Sequence, residues 1–301
     1  MTDLSRLLPN IEIRYDEPMN RHTSFKIGGP VFAMVFPANE NELTFTVREL
    51  RTNNSDFFIL GNGTNLLVVE APLDFVAVKT PILDGGITLL SDTVIKAYSG
   101  VYLSHLAGFA CENGLTGLEF AHGIPGSVGG AVFMNAGAYE SEVGDFIVSV
   151  DALMPDGEIK SYTTNECNFS YRHSVFCDNG ATILSSAFEL RRGDQAKIRA
   201  KMQTLAAERR EKQPLDFPSA GSTFKRPVGG YAAKMIDEGG LKGFRIGGAA
   251  VSERHAGFVV NLGGATFDDV IRVIEHVKEV VYKHTGAELV PEVRIIGSVW
   301  K

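Results

Sequence analysis

Two glycine-rich loops carry the clearest chemical signal in this chain of 301 residues. The first, Gly61-Asn62-Gly63-Thr64-Asn65, sits between the apolar runs 57–60 and 66–69. Two glycines among small polar residues let a strand–loop–strand expose several backbone N–H groups together, an anion nest for phosphate oxygens. A plain hairpin turn fits the same five residues. A G-x-G-x-x-G dinucleotide fingerprint opening a helix does not, because the third glycine position holds Leu66 and the sequence beyond it is β-like. The second loop, 122–139, holds Gly123, Gly126, Gly129, Gly130 and Gly137 and almost no charge. Such a backbone can approach a large ligand closely, although a glycine-rich core crossing or β-bulge would use the same composition. Two uncharged glycine loops about 60 residues apart suit a diphosphate-linked cofactor held by backbone amides. A metal-dependent kinase fits poorly, since no G-x-x-x-x-G-K-[ST] is present.

The elements around these loops alternate in type. Residues 31–36 read as a strand, and a helix starts at Asn39 with Glu42 as a capping-box partner and Leu43, Val47 and Leu50 on one face. The runs 57–60, 66–70 and 75–79 are short and β-rich, a βαβ-like opening followed by a hairpin. A strand at 94–98 precedes a helix carrying Leu103, Leu106, Ala107 and Ala110, closed by Gly114. Further alternating segments run from 146 to 190, with a turn at Pro155-Asp156-Gly157. Asp194 can cap a long helix with Ile198, Met202 and Leu205, a boundary element that runs into Pro214. The strongest helix is 267–285: Thr266 caps it, Val270, Val273, Ile274, Val277 and Val281 form its apolar stripe, and Gly286 ends it. A last strand is expected at 292–296. Mixed strands and helices without a repeating βα unit predict an α+β fold.

Composition narrows the function. Lys plus Arg total 29 against 36 for Asp plus Glu, a net charge of −7, which argues against general nucleic-acid binding. Glycine makes up 32 of 301 residues, above the usual level of about 7%. The N-terminus lacks the charged start and apolar block of a signal peptide. No stretch approaches the roughly 18 apolar residues of a membrane span. Cys111, Cys167 and Cys177 have no CxxC spacing and the seven histidines are scattered, so reduced thiols in a cytoplasmic protein are expected, with no metal site.

The motifs His22-Thr23-Ser24-Phe25-Lys26-Ile27-Gly28-Gly29, Ile59-Leu60-Gly61-Asn62-Gly63-Thr64-Asn65-Leu66-Leu67, Gly123-Ile124-Pro125-Gly126-Ser127-Val128-Gly129-Gly130, Asn135-Ala136-Gly137-Ala138-Tyr139, Ser170-Tyr171-Arg172, Ala220-Gly221-Ser222-Thr223-Phe224-Lys225-Arg226-Pro227 and Pro291-Glu292-Val293-Arg294 appear in the order seen in the UDP-N-acetylenolpyruvoylglucosamine reductases, flavoenzymes of bacterial peptidoglycan synthesis. The resemblance covers about residues 20–297. It implies an α+β fold of the vanillyl-alcohol-oxidase (PCMH) type that binds FAD noncovalently through two subdomains, 1–80 and 81–195. A smaller α+β substrate-binding domain would follow at 196–301, with the strand 291–297 returning towards the flavin. The chain is similar to the shorter, type II form, which lacks an inserted loop bearing a substrate-contacting tyrosine. Covalent flavin needs a His or Cys; the first loop has neither, and His122 beside the second is expected to be structural.

The resemblance also implies a reaction: NADPH-dependent reduction of the enolpyruvyl group of UDP-N-acetylglucosamine enolpyruvate to UDP-N-acetylmuramate, through FAD. Hydride reaches C3 and a proton reaches C2. Ser222 matches the proton donor, a weak acid that need only donate to a strongly basic carbanionic centre. Arg172 matches the arginine on the substrate carboxylate, where a planar guanidinium binds bidentately. Glu292 matches the catalytic glutamate, expected to assist beside Arg172; its plainer reading is a strand-edge carboxylate facing Arg294. Thr23, Gly61, Asn62, Gly63, Thr64, Asn65, Gly123, Pro125, Gly126, Ser127, Gly129, Gly130, Asn135 and Ala136 match the FAD contacts. Tyr139, Arg209, Lys212, Arg226, Tyr231 and Lys242 match substrate-contacting positions, Arg226 replacing an asparagine of some relatives. Arg209 and Lys212 are three apart and share a helix face, which suits a diphosphate or a solvated helix end equally.

No second dinucleotide motif exists, so NADPH and the sugar nucleotide are expected to use one cavity in turn. The partners expected are these two small molecules, without nucleic acid or membrane, around a cytoplasmic monomer serving cell wall biogenesis and through it cell shape, division and the cell cycle. A flavin oxidase of the same superfold and a catalytically silent nucleotide-sugar or flavin-binding protein are the alternatives.

Overall fold

A computed structural model of the chain describes residues 3–82 and 85–297. It holds two compact units, each built from separated stretches of sequence. The first comprises residues up to Tyr15, Ala33–Asn62 and Asp74–Glu208; the second comprises Asp16–Phe32, Gly63–Leu73 and the residues from Arg209 on.

A four-stranded sheet runs in the order Glu12–Pro18, Pro30–Phe36, Leu73–Lys79, Phe57–Leu60. Its Phe57–Leu60 strand lies parallel to Leu73–Lys79, with Leu60 opposite Lys79. Helix Glu40–Thr52 begins where expected, its N-cap Asn39 accepting from Glu42 N–H at 2.9 Å while Glu42 reaches back to Ala38 N–H. Leu43, Val47 and Leu50 are buried.

The first unit also holds a five-stranded antiparallel sheet, ordered Ile159–Thr163, Ile147–Leu153, Thr182–Glu189, Val94–Tyr98, Ile87–Leu89. Gly157, at φ 89°, makes the turn expected at Pro155-Asp156-Gly157 between the first two of these strands. Helix Leu103–Glu112 packs Leu103, Leu106, Ala107 and Ala110 into the core of this unit. The long helix Gln195–Lys212 is capped by Asp194, which accepts from Lys197 N–H at 3.1 Å. The division between the units falls inside its last turn.

In the second unit helix Phe267–Thr285 buries the four expected valines and Ile274 in the core. Thr266 and Asp269 form a reciprocal capping box, and Gly286 ends the helix at φ 73°. The strands Arg245–Ile246, Ala249–Val251 and Val259–Asn261 make a small antiparallel sheet against it.

The hairpin expected from 66–70 and 75–79 does not form. Leu66–Val68 pairs in parallel with the C-terminal strand Arg294–Ile296, Leu66 opposite Arg294, while Leu73–Lys79 pairs with Phe57–Leu60. Local apolar patterning marks a strand but not its partner, and this partner lies far along the chain. The same pairing cuts the units differently from the divisions 1–80, 81–195 and 196–301: residues 63–73 group with the C-terminal part, and 196–208 with the first unit.

Candidate active site

The first glycine loop leaves the sheet at Leu60. Ideal Cβ geometry at Gly61 would put a methyl 2.4 Å from the Ser127 hydroxyl, so the start of the loop and the second glycine loop approach with no room for a side chain. Ser127 is buried and caps the short helix Val128–Phe133, accepting from Gly130 N–H at 3.3 Å. Among the described residues the N–H groups of Gly61 and Asn62 have no hydrogen-bond partner, and the buried Asn62 Nδ2 has none either. Unpaired buried donors await an acceptor. The carbonyl of Gly61 accepts from Lys79 Nζ.

The second loop divides its duties. Val128 N–H donates to Val101 O and Gly129 N–H to Ser99 O, both at 2.8 Å. A Cβ at Gly129 would lie 2.7 Å from the Ser99 Cβ. These two positions are spent on packing, whereas Gly123, Pro125, Gly126 and Gly130 stay partly or fully exposed. Asn135 is fully buried in a left-handed conformation, φ 44°. Its side chain donates to Ser170 O at 3.0 Å and accepts from Gly144 N–H at 2.9 Å, and Ala136 N–H closes a turn onto Ala131 O.

Arg172 belongs to this framework in the first unit. Its Nη2 donates to Gly137 O at 2.9 Å and Nη1 to Asn135 O at 3.4 Å, with the guanidinium 4.8 Å from the Tyr171 ring centroid. The residue adopts φ 55°, strain that the surrounding bonds must hold. A surface arginine would need none of this. Tyr139, also left-handed at φ 54°, directs its hydroxyl to Leu205 O at 2.9 Å on the long helix.

The remainder of the first loop belongs to the second unit. Gly63, φ 63°, has its Cβ direction filled by the His22 carbonyl at 2.1 Å, and its own carbonyl accepts from Ser24 N–H at 3.1 Å. Thr23 is buried, its hydroxyl donating to Ile27 O at 3.0 Å. Thr64 and Asn65 are half-buried with no partner for their N–H groups among the described residues. Asn65 spends its side chain on the C-terminal segment: Nδ2 donates to Glu292 O at 3.2 Å, and its carbonyl accepts from Arg294 N–H at 3.0 Å.

Ser222 is exposed on a turn after Gly221, φ 78°. Its neighbour Thr223 is buried and anchored three times: Thr223 N–H donates to Gly257 O at 2.8 Å, its hydroxyl accepts from Val259 N–H at 2.9 Å, and its carbonyl accepts from Glu292 N–H at 2.8 Å. The backbones bearing Ser222 and Glu292 thus lie side by side.

The remaining cationic positions all fall in the second unit. Arg226 lies over the Tyr231 ring, 4.5 Å from its centroid, both exposed. Lys242 pairs with Asp237 at 2.7 Å. Arg209 and Lys212 stand in the last turn of the long helix. His122 is exposed. No group of three or more His, Cys, Asp or Glu among the described residues could hold a metal ion.

A model of the FAD binding domain matches residues 32–163, and a model of the UDP-N-acetylenolpyruvoylglucosamine reductase C-terminal domain matches residues 213–296. A UDP-N-acetylenolpyruvoylglucosamine reductase from Caldanaerobacter subterraneus subsp. tengcongensis is 47% identical over 98% of this chain and 97% of its own length. The chain belongs to the UDP-N-acetylenolpyruvoylglucosamine reductase family. The reductase of Syntrophomonas wolfei is 44% identical over 99% of both chains. The crystal structure of the reductase (MurB) from Thermus caldophilus aligns with a TM-score of 0.79 at 30% identity, over 96% of this chain and 99% of that one. The expected α+β fold with an FAD-binding part stands, and FAD is the cofactor of such a reductase. The unpaired donors of Asn62 and the side-chain-free approach of Gly61 to Ser127 fit an anionic cofactor on this face of the first unit.

Residue patterns missed Lys79 and the side-chain partner of Asn65. Lys79 reads as the end of an apolar strand, and only a charge closing the run Val76-Ala77-Val78 hints at more. The side-chain role of Asn65 carries no local signal, because its acceptor is 227 residues away.

Proposed function

We propose that the chain reduces the enolpyruvyl group of UDP-N-acetylglucosamine enolpyruvate to give UDP-N-acetylmuramate, with NADPH as co-substrate. FAD, which the glycine-loop residues would hold, would supply hydride-transfer chemistry between NADPH and C3 of the enolpyruvyl group. Ser222 then donates a proton to C2 from its exposed turn. Arg172 holds the substrate carboxylate and disperses the negative charge that develops towards it. Glu292 assists the proton delivery. The hydrogen bond from Glu292 N–H to Thr223 O carries the assignment, because it fixes the glutamate's backbone beside that of the serine. Arg209, Lys212, Arg226, Tyr231, Lys242 and Tyr139 are assigned to the sugar nucleotide, the cations to its diphosphate. Gly61, Asn62, Gly63, Thr64, Asn65, Gly123, Pro125, Gly126, Ser127, Gly129 and Gly130, with Thr23, Asn135 and Ala136, are assigned to noncovalently bound FAD.

The chain contains no second dinucleotide motif, so NADPH and the sugar nucleotide bind in turn. No described helix is long and apolar enough to cross a membrane, which accords with a cytoplasmic monomer supplying wall precursors for cell shape and division. The test is anaerobic: purified protein is yellow, NADPH bleaches it, and UDP-N-acetylglucosamine enolpyruvate restores the colour. Colour that returns only with oxygen would identify a flavin oxidase instead. Initial-rate double-reciprocal plots should be parallel.

A further inference from the structure

Lys79 closes the buried strand Leu73–Lys79 and is itself half-buried. Its ammonium donates to the Gly61 carbonyl and has no other polar partner among the described residues. The strands on either side of the Lys79 strand in the sheet, Pro30–Phe36 and Phe57–Leu60, and the loop residues Gly61, Asn62 and Ser127 contain no titratable side chain. Burial alone pushes the lysine down to about 8. An unpaired cation in such a place is costly to the fold, and among the described residues no ion pair offsets it.

The geometry of the peptide bond explains what the cation does. In a trans peptide the C=O and the following N–H point in opposite directions, and the chain has no cis peptide among its described residues. With the Gly61 carbonyl held on the Lys79 side, the Asn62 N–H is turned to the other side, where it has no partner. The adjacent Asn62 Nδ2 is likewise unsatisfied. One lysine thus both orients a donor and places a positive charge behind it.

We propose that Lys79 is a cofactor-anchoring residue: it pins the Gly61 peptide so that the loop presents its donors, and its charge balances the diphosphate of FAD. The inference rests on FAD being the ligand, which the FAD-binding match over residues 32–163 supports, since that span includes Gly61, Lys79 and Ser127. NADPH offers a diphosphate too, so the measurement separates the two.

The test is FAD release from the holoenzyme on serial dilution, followed by the recovery of flavin fluorescence, without turnover. The Lys79→Met variant should release FAD at roughly 10- to 100-fold higher protein concentration near neutral pH, the size of a lost charge-assisted contact. The gap should narrow above about pH 9, because the wild-type lysine loses its proton on release there and FAD binding weakens as pH rises. Lys79→Arg should keep the affinity and lose the pH step, which also serves if Lys79→Met folds poorly. Stopped-flow reduction of the FAD-saturated variant should give an unchanged apparent Kd for NADPH. Equal FAD release by wild type and both variants, a pH-independent gap, or a raised NADPH Kd with normal FAD retention would overturn the proposal. Failure of the wild-type protein to retain FAD would instead overturn the cofactor assignment beneath it.

Discussion

Glu292 N–H donates to Thr223 O at 2.8 Å, while Thr223 is itself tied to Gly257 and Val259. A turn bearing an exposed serine is thereby bound to a buried threonine that cannot shift without breaking several backbone contacts. The arrangement separates two demands. Ser222 needs access to a ligand, and the backbone beside it needs rigidity. One residue of sequence divides the two.

Replacing Ser222 by Ala removes only the proposed proton donor. Reduction of the bound flavin by NADPH should proceed as in wild type, while reoxidation by the enolpyruvyl substrate should slow by about 10²- to 10⁴-fold, the usual worth of a positioned acid. Stopped-flow absorbance of the two half-reactions separates them. Equal loss in both would remove Ser222 from proton delivery.

Thr223→Val keeps the shape of the buried side chain and deletes its oxygen. Val259 N–H then loses its acceptor at a site with little water. The expected cost is about 1–3 kcal/mol, read from urea denaturation followed by circular dichroism. A change below about half a kcal/mol would mean that water reaches Val259.

Asn65 tests whether the glycine loop also steadies Glu292. Asn65→Ala keeps the backbone N–H that the loop offers FAD, so it should leave the FAD content nearly unchanged and slow substrate-dependent reoxidation, since the lost side-chain bond runs to the Glu292 carbonyl. Asn65→Asp should be slower still, because it sets a carboxylate against that carbonyl. A variant that retains FAD poorly yet, once saturated with FAD, reoxidises normally would make Asn65 a cofactor contact alone.

The two first-loop glycines should respond differently to alanine. At Gly61 the clash is with a side chain, the Ser127 hydroxyl, whereas at Gly63 it is with the His22 backbone carbonyl under a positive φ. Gly61→Ala should cost about 1 kcal/mol, the price of a disturbed helix cap, and nearly nothing further in a Ser127→Ala background. Gly63→Ala should destabilise more, whatever its background. Thermal melts of Ser127→Ala, the two glycine variants and the two double variants give the non-additivity directly.

What could be read in the residues alone follows a physical division. Helix Phe267–Thr285 was legible because its cap, its stripe and its terminal glycine lie within one short stretch. The glycine loops were legible because a missing side chain is itself a signal. The pairing of Leu66–Val68 with Arg294–Ile296 was not, since parallel strands far apart in the chain leave no mark at the turn between neighbours. Lys79 escaped for a related reason: its significance depends on a carbonyl 18 residues earlier. Asn135 shows the opposite limit. Its type and motif pointed to a ligand, and its side chain is committed to Ser170 and Gly144.

Asp269 supplies a prediction about acid. Its carboxylate accepts from Gly248 N–H and Thr266 N–H, both at 3.1 Å. These bonds, Gly248's first, hold it below the usual carboxylate value. A folded-state value depressed below that of the unfolded chain, about 3.9, gives stability that is complete above that unfolded value. The contribution falls as pH drops through the folded value. Asp269→Asn keeps the shape but puts a neutral amide where the charged Oδ2 now accepts both bonds. Its urea midpoint should therefore lie below that of wild type near pH 6, with the gap closing in acid as pH falls through the lowered folded-state value and the wild-type carboxylate is protonated. Gly248 and Thr266 belong to the loop and cap that position helix Phe267–Thr285, so far-UV circular dichroism should report the loss as one cooperative transition. A gap that persists unchanged into acid would mean that the carboxylate's charge contributes nothing and that only its shape matters.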